Sequence, residues 1–379
     1  MPVHSAAALR QETRAPLDTV LFTAVAALIG IGLVMVFSAS SATAYAQHGD
    51  IAYYLKRQIL WLGVGLAGAY AAYRIDYHRL RRLAPYFLVA AIAGLVLVFA
   101  PHVGLGVNGG RRWIGTPSFS VEPSEFAKLA LVIYLAAALS SRGERITSLA
   151  RGLFPLCVPV LIMAVLVLKE PDMGTASLLL FIALAMFFSA GARVLHLAAV
   201  ALAIVPLAAL TVLSSPYRRA RVFAFLDPWK DPLNTGFHIV QSLLALGSGG
   251  LFGVGLGASR AKFFYLPEQY TDFIFSVLGE ELGLVGTLAV VALFVTLAYR
   301  AIRIALAAPD RFGFFLAVGC AAMITIQAFV NIGVVSSSWP VTGVPLPFIS
   351  FGGSSLVVNL LAVALIANVG RRRRVARSA

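Results

Sequence analysis

Asp272 is the residue whose position in this sequence points most directly to chemistry. It follows the polar stretch 265–271 and stands at the start of a strongly apolar segment. A carboxylate at a membrane boundary loses hydration, so it is rare there unless it has a task. On a helix, Asp272 would share one face with Ser276, Gly279 and Gly283. Small residues beside a carboxylate predict room for a large ligand.

The acids near Asp272 predict how its carboxyl ionises. Glu268, Glu280 and Glu281 all lie within nine positions of it. Like charges and partial desolvation both raise the pKa of a carboxyl, which suits a general base that works near neutral pH. A second interpretation stays open, in which Asp272 only stabilises the N-terminus of a helix through the helix dipole.

Glu125 and Lys128 form a second candidate site at the start of another apolar segment. At a spacing of three residues they share a helix face and can pair, and Pro123 suits the first turn of that helix. Ionisable groups inside a membrane usually line a polar path. The pair is therefore interpreted either as a charged cavity lining or as an ion pair that only makes two charges tolerable in the bilayer.

The composition identifies the elements that must position these residues. The chain has 379 residues, of which 60% are hydrophobic and only 12% charged, about half the charged fraction of a soluble domain. Apolar runs long enough to span a membrane predict an all-α polytopic membrane protein with about ten transmembrane helices. The predicted spans are 18–39, 58–74, 84–100, 123–140, 153–168, 174–190, 195–213, 272–299, 312–336 and 348–369.

The distribution of Lys and Arg predicts the orientation. An even number of spans puts both termini on one side, which carries 18 basic residues against 11 on the other, six of them in the single long loop 214–271. Long loops count little in the positive-inside rule, so both termini are expected in the cytoplasm. The net charge of +14 therefore reflects topology, and no nucleic-acid partner is expected.

This topology divides the chain into three parts. Residues 1–17 form a cytoplasmic segment, residues 18–369 the membrane domain, and residues 370–379 a basic tail whose arginines are expected to meet anionic lipids. The inner loops, such as residues 76–82, are interpreted as topology signals only. The outer loop 214–271 is too long for a connector. Within it, residues 239–246 place apolar side chains opposite His238, Gln241, Ser242 and Ser248, which predicts an amphipathic helix at the outer interface.

Basic residues on the outer side run against the positive-inside trend. Arg112 lies in a glycine-rich outer loop, and Arg218, Arg221 and Lys262 belong to the long outer loop. Guanidinium and ammonium groups bind phosphate or pyrophosphate well, so an anionic ligand is one interpretation. Contact with phospholipid headgroups is the other.

Several other kinds of site are not indicated. The six His and two Cys show no spacing typical of metal ligands. Cys157 and Cys320 both lie in apolar segments and are expected to be buried free thiols. Residues 253–258 fit a dinucleotide-binding glycine pattern, but no strand precedes them as that fold requires. No Walker A sequence occurs, which argues against an ATP-driven pump.

The sequence resembles the SEDS (shape, elongation, division, sporulation) proteins over nearly its whole length. The matching motifs occupy residues 112–114, 123–128, 170–175, 225–229, 266–283 and 340–355. Residues 38–40 and the glycines of 253–257 are more similar to the division branch of the family, whereas 273–278 are closer to the elongation branch. The division branch is favoured.

The resemblance implies a glycosyltransferase that polymerises lipid II into glycan strands at the outer face of the cytoplasmic (inner) membrane. It implies as partners a class B penicillin-binding protein, other membrane proteins of the division or elongation machinery, and membrane lipids. The family's catalytic aspartate matches Asp272, and its charged cavity pair matches Glu125 and Lys128. The substrate-binding residues that we predict beside this pair are Arg112, Arg218, Arg221, Lys262 and Glu280.

The sequence also departs from the family at positions that could contact substrate. Glu122 stands where Gln is usual, and His238 and Tyr270 replace Gln and His. The predicted base is intact in each case. Two other functions stay open beside the enzyme: a transporter that moves lipid II across the bilayer, and a scaffold that only recruits the penicillin-binding protein. No cofactor is required by the sequence, and a divalent cation such as magnesium or manganese is an alternative stabiliser of the leaving group.

Overall fold

The computed structural model describes residues 17–372 except 102, 108, 109, 117 and 118. The predicted N-terminal segment up to residue 16 and the tail from residue 373 lie outside the described residues. The helices are α1 (Thr19–His48), α2 (Tyr53–Arg74), α3 (Tyr77–Leu97), α4 (Pro123–Arg142), α5 (Phe154–Lys169), α6 (Met173–Ser189), α7 (Val194–Leu213), α8 (Pro216–Leu226), α9 (Phe237–Ser248), α10 (Ile274–Leu306), α11 (Arg311–Val335) and α12 (Gly353–Arg371).

Each of the ten predicted spans falls on its own helix, and α8 and α9 lie in the long loop 214–271. The two ends of the bundle are called outer and inner according to the predicted orientation. Seven helices of the described residues combine the length and the apolar character of a membrane span, all except α2, α6 and α7 among the ten. α5 reaches this length together with the helical turn that precedes it, as one segment over Leu149–Lys169. α6 is short, with 17 residues, and α2 carries Lys56 and Arg57 in its first two turns. The multi-pass helical fold is confirmed, whereas the number of ten crossings stays a prediction.

The helices form a bundle in which α12 is central and α3 peripheral. In the most apolar stretch of α12, 94% of the residues are buried inside the protein, against 11% in α3. α12 packs against α2, α4, α10 and α11. An apolar helix that buries so little against protein must meet another apolar medium, and α3 therefore faces lipid.

Aspartate side chains cap four helices within the described residues. Asp18, Asp76, Asp172 and Asp310 precede α1, α3, α6 and α11, and each accepts a hydrogen bond from a backbone N–H of the first turn. These N–H groups have no partner inside the helix, and aspartate is among the best residues at this position. Several acids of this apolar chain thus have a structural reason to be there.

A small antiparallel sheet, which the sequence did not predict, occupies the outer loop between α3 and α4. Its strands are β1 (Gly104–Val107), β2 (Gly110–Gly115) and β3 (Ser120–Val121), in the order β1-β2-β3. Gly115 has φ +129°, a conformation that favours glycine. The sheet fixes the path of β2, which carries Arg112 towards the membrane domain.

The amphipathic helix predicted in the outer loop exists as α9, but its polar face was assigned wrongly. Ser242 is fully buried and hydrogen-bonds to the Val335 carbonyl at 2.7 Å and to the Ser276 hydroxyl at 2.8 Å. Leu244, predicted to face the apolar side, is 52% exposed. α9 therefore packs into the protein against α10 and α11, and its serine finds hydrogen-bond partners there instead of water.

The face of small residues after Asp272 is filled by protein, which corrects the expectation that it leaves room for a ligand. A Cβ on Gly279 would lie 2.4 Å from Leu246 of α9. Gly283 interrupts the helical backbone of α10 with φ +67°, and a Cβ there would lie 2.3 Å from the backbone nitrogen of Gly253. These glycines let α9 and the following loop approach α10 closely.

At the inner end, residues 76–78 do more than set topology. Arg372 Nη1 lies 2.8 Å from Asp76 Oδ2, and His78 lies between Asp76, at 2.8 Å, and Asp310, at 3.1 Å. Tyr77 also donates a hydrogen bond to Asp310. This network ties the end of α12 to the loops before α3 and α11. Arg372 thus contacts protein, and contact of the basic tail with lipid stays a prediction.

Candidate active site

Asp272 lies in the turn that leads into α10, and neighbouring segments fix its backbone. Its carbonyl accepts a hydrogen bond from Asn331 Nδ2 at 2.8 Å, and the same amide donates to Val344 O at 2.8 Å. Ser350 Oγ donates to the Thr271 carbonyl at 2.6 Å. α11 and the segment between α11 and α12 therefore hold Asp272 through its main chain, and its carboxyl is available for another task.

The surroundings of Asp272 raise its pKa to about 7, first because the carboxyl is desolvated and then because Glu268 and Asp172 repel its charge. The positive charges of Arg112 and Arg221 act in the opposite direction. A carboxyl with this pKa is partly deprotonated at neutral pH and accepts a proton readily. The raised pKa of Asp272 follows the prediction. The acids that raise it are Glu268, as predicted, and Asp172, whereas Glu280 and Glu281 were expected.

Arg112 faces Asp272 across a glycine. Its Nε donates to the Glu170 carbonyl at 3.0 Å and its Nη2 to the Pro171 carbonyl at 2.6 Å. Its Nη1 lies 3.4 Å, and Asp272 Oδ2 3.6 Å, from the place that a Cβ on Gly343 would occupy. Two of the three guanidinium nitrogens thus orient the side chain. The third borders the same space beside Gly343 as the Asp272 carboxyl, and this space is called the slot. This arrangement can hold an anionic group beside a base.

The predicted pair of Glu125 and Lys128 is confirmed. Lys128 Nζ lies 2.8 Å from Glu125 Oε1, and both side chains are buried. The same ammonium donates to Gln327 Oε1 at 2.6 Å, and Gln327 in turn donates to the Pro345 carbonyl and to Ser355 Oγ. The pair therefore joins α4, α11 and α12 in one buried polar cluster, which supports a structural contribution whatever it does for a ligand.

Glu122 connects this cluster electrostatically to Arg112. Burial, and then the charges of Glu125 and Asp172, hold the pKa of Glu122 well above its usual range, while Lys128 and Arg112 lower it. Glu122 stands where a glutamine is usual in the family that the sequence resembles. A glutamate with a raised pKa is neutral over a wider pH range and then offers a hydroxyl donor, which brings it closer to an amide in behaviour.

Two acids of the connection between α5 and α6 belong to the site and were missed. Burial raises the pKa of Glu170 to about 8, with a further contribution from Asp172 and an opposing one from Arg112. The charge of Asp172 raises the pKa of three other acids, Glu122, Glu170 and Asp272. The signal that could have found them is two acids in an outer connection of only five residues between apolar segments.

The other basic residues divide into two groups. The charge of Arg221 lowers the pKa of the Asp272 carboxyl. Arg218, on the same helix α8, donates to the Leu168 carbonyl at 3.2 Å. α8 therefore carries both arginines at the same end of the protein as Asp272. Lys262, in contrast, is 5% exposed and its Nζ contacts the Gly257 carbonyl at 2.5 Å and Glu281 at 3.6 Å.

Glu280 is also engaged within the protein. Its carboxylate accepts hydrogen bonds from Ser259 Oγ at 2.5 Å and from the backbone N–H groups of residues 260 and 261 at 3.0 and 3.2 Å. Lys262 and Glu280 therefore hold the loop after α9 against α10, and their role in substrate binding stays a prediction. Among the described residues, no group of three or more His, Cys, Asp or Glu side chains is arranged to hold a metal ion.

The chain is similar to known proteins over nearly its whole length. The model of the cell cycle protein family of FtsW, RodA and SpoVE matches residues 18–375. Stage V sporulation protein E of Bacillus subtilis (strain 168) is 46% identical over 359 residues, covering 94% of this chain and 98% of that protein. A probable peptidoglycan glycosyltransferase FtsW of Trichlorobacter lovleyi is 45% identical over 352 residues, covering 93% and 92%.

Solved structures agree with these relatives. The rod shape determining protein RodA of Thermus thermophilus matches with a TM-score of 0.69 at 31% identity, covering 95% of this chain and 98% of that one. A chain of a peptidoglycan synthase complex that coordinates polymerization and crosslinking matches with a TM-score of 0.76 at 32% identity, covering 94% and 98%. The chain belongs to the FtsW, RodA and SpoVE family of cell cycle proteins.

Proposed function

We propose that this protein is a peptidoglycan glycosyltransferase of the FtsW type, which polymerises lipid II at the outer face of the cytoplasmic membrane during septal wall synthesis. The observation that carries this proposal is the Asp272 carboxyl, with a pKa of about 7, facing Arg112 across Gly343. A base and an anion-binding group on one slot are what a sugar transfer from a pyrophosphate requires. Several curated relatives at 42% to 46% identity are named as probable enzymes of this kind.

The mechanism that we propose is a single displacement. The Asp272 carboxylate accepts the proton of the acceptor sugar's hydroxyl, and the oxygen forms a bond to the anomeric carbon of the donor. The bond from that carbon to the pyrophosphate oxygen breaks, and undecaprenyl pyrophosphate leaves with the electron pair. Arg112 and Arg221, whose charges both act on Asp272, stabilise the developing charge. One base without a protein nucleophile implies inversion at the anomeric carbon, by the logic of inverting glycosidases.

The distribution of polar groups supports an enzyme over a transporter. A flippase requires a polar path that reaches both faces of the membrane. Beyond Lys128 on α4 and Gln327 on α11, away from Asp272, the buried side chains Leu131, Leu135, Leu316, Cys320 and Ile324 are apolar. On α12 the cluster continues from Ser355 to the buried Asn359. The apolar layer on α4 and α11 supports a polar cluster that opens to one face.

The test of the activity is polymerisation of labelled lipid II by the purified protein. We expect long glycan products when a class B penicillin-binding protein, the partner that we propose, is present with its transpeptidase serine blocked. Blocking that serine prevents crosslinking, so the chain length reports on glycosyl transfer alone. Absence of glycan, with lipid II moved across a vesicle membrane instead, would replace the enzyme by a transporter.

The pH dependence of the rate follows from the Asp272 carboxyl. Only the deprotonated form accepts a proton, so the rate of polymerisation should fall as the pH drops through about 7, the pKa of Asp272. We expect a plateau above about pH 8 and roughly a tenfold lower rate one pH unit below the pKa. The measurement is the initial rate in single-turnover assays between pH 5 and 9, with unfolding monitored at each pH. A rate that does not change across this range contradicts the assignment of the base.

The division role has its own test in the native cell. Depletion of a division polymerase should give filaments with unconstricted septa, whereas depletion of an elongation polymerase in a rod should give round cells. We expect filaments, because the curated relatives named as FtsW are 42% to 46% identical and the RodA structure only 31%. Round cells would move the protein to elongation, and a defect confined to spore formation would move it to the pathway of the Bacillus relative.

A further inference from the structure

The two carboxylate oxygens of Asp172 have different environments. Oδ1 accepts a hydrogen bond from the Thr175 N–H at 2.9 Å and caps α6. Oδ2 is buried and has no hydrogen-bond partner among the described residues, and the whole residue is only 2% exposed. A buried acceptor without a donor costs free energy. Capping therefore explains one oxygen of Asp172 and leaves the other unexplained.

A second unpartnered group lies beside it. The Thr342 hydroxyl, in a residue that is 9% exposed, also has no hydrogen-bond partner within the part of the chain that the structure describes. The Cβ of Thr342 and Oδ1 of Asp172 lie 3.0 and 3.4 Å from the place that a Cβ on Gly174 would occupy. Asp172 and Thr342 are therefore neighbours.

The slot of the proposed reaction begins at the next residue. Gly343 follows Thr342 and borders both Arg112 Nη1 and Asp272 Oδ2. The charge of Asp172 also reaches the Asp272 carboxyl, whose pKa it raises. Thr342 is thus a neighbour of Asp172, and the next residue, Gly343, borders Arg112 and Asp272.

We infer that Asp172 contacts the substrate, its Oδ2 accepting a hydrogen bond from a hydroxyl or amide N–H of the amino sugar bound at Asp272. This inference rests on the proposed function. Amino sugars carry several O–H and N–H donors, and hydrogen bonds to a buried carboxylate are among the stronger ones. Thr342 is placed to join the same contact, since its hydroxyl both donates and accepts.

A metal ion is the other ligand that two acids and a hydroxyl could attract. The described acids of the site do not form a group of three or more that could hold one. Arg112, fixed between the carbonyls of residues 170 and 171, already supplies positive charge there. The geometry therefore favours a hydrogen-bond donor on the substrate.

The test is Asp172→Asn in the full-length protein with its partner. Asparagine caps helices as well as aspartate does, so the substitution keeps the role of Oδ1 and removes the charged acceptor. We expect KM for labelled lipid II to rise by roughly 10- to 100-fold, the loss typical of a hydrogen bond to a charged group. The pH midpoint of the rate should also move to lower pH, because Asp172 no longer raises the pKa of Asp272.

Binding is measured separately from turnover. In an Asp272→Asn background, which removes the base, labelled lipid II should bind more weakly when Asp172→Asn is added. The matched control is Asp310→Asn at the inner end, where the aspartate caps α11 through the Gly313 N–H at 2.9 Å. This control should leave KM and the pH midpoint unchanged. Thermal unfolding in detergent checks that each variant folds.

The outcomes separate the inference from the proposed function. A folded Asp172→Asn protein with the KM and pH midpoint of the wild type would overturn the inference while the enzyme stands. Recovery of the variant's rate on raising the magnesium or manganese concentration would also overturn it, because Asp172 would then be a cation ligand. Failure of the wild type to make glycan would instead refute the proposed function itself.

Discussion

Asp272→Asn is expected to lower the rate of lipid II polymerisation by about 10²- to 10⁴-fold, the usual contribution of a general base. The fold should persist, because the structure holds this residue through its main-chain carbonyl, which accepts from Asn331. The measurement compares initial rates of purified wild type and variant with the partner present, together with their thermal unfolding.

The matched control is Asp231→Asn. Asp231 lies on the same outer loop, where its side chain bonds to Asn234 and Thr235, and removing its charge should leave the rate unchanged. Full polymerase activity in a folded Asp272→Asn protein would falsify the assignment of the base. A loss of activity that accompanies unfolding would show that the carboxyl is structural.

Lys128→Met is expected to destabilise the protein by about 3–5 kcal/mol, the usual cost of removing one partner of a buried ion pair. The substitution leaves Glu125 as an unpaired buried charge and takes away the donor of Gln327 Oε1. The double variant Glu125→Gln, Lys128→Met should regain much of this stability, because no uncompensated charge remains. We expect its polymerase activity to stay low, since we propose that the pair also shapes the substrate cavity.

The control for this experiment is the exposed pair of Lys56 and Asp50, with 67% and 38% of their side chains exposed at 2.7 Å separation. Lys56→Met should change the free energy of unfolding little, because water already solvates both charges. Chemical denaturation in detergent gives the stability, and the lipid II assay gives the activity. If the double variant regains both, the pair is structural only and its proposed role in the cavity is wrong.

The partners of Ser242, Lys262 and Glu280 lie far from them in the chain or on the opposite side of a turn, where no local pattern reaches. Helical periodicity found α9, but it could not tell that Ser242 faces Ser276 and the Val335 carbonyl instead of water. Charge and position predicted Lys262 and Glu280 as substrate ligands, but they did not predict that both side chains form hydrogen bonds with the loop between α9 and α10. A polar side chain does not reveal from sequence which of its possible partners it will meet, because those partners are remote in the chain.

Features that depend on neighbours along the chain could be predicted from the amino-acid sequence. Runs of apolar residues set the helices because unpaired backbone groups are too costly in a lipid environment, and the spacing of Glu125 and Lys128 sets their pairing because residues three apart share a helix face. The same pattern predicted Asp272 at the N-terminal end of a helix. That Arg112, Asp172, Gly343 and Asp272 lie close together is visible only in the folded protein. These residues come from four separate segments, and their convergence depends on how the helices pack, which no local pattern encodes.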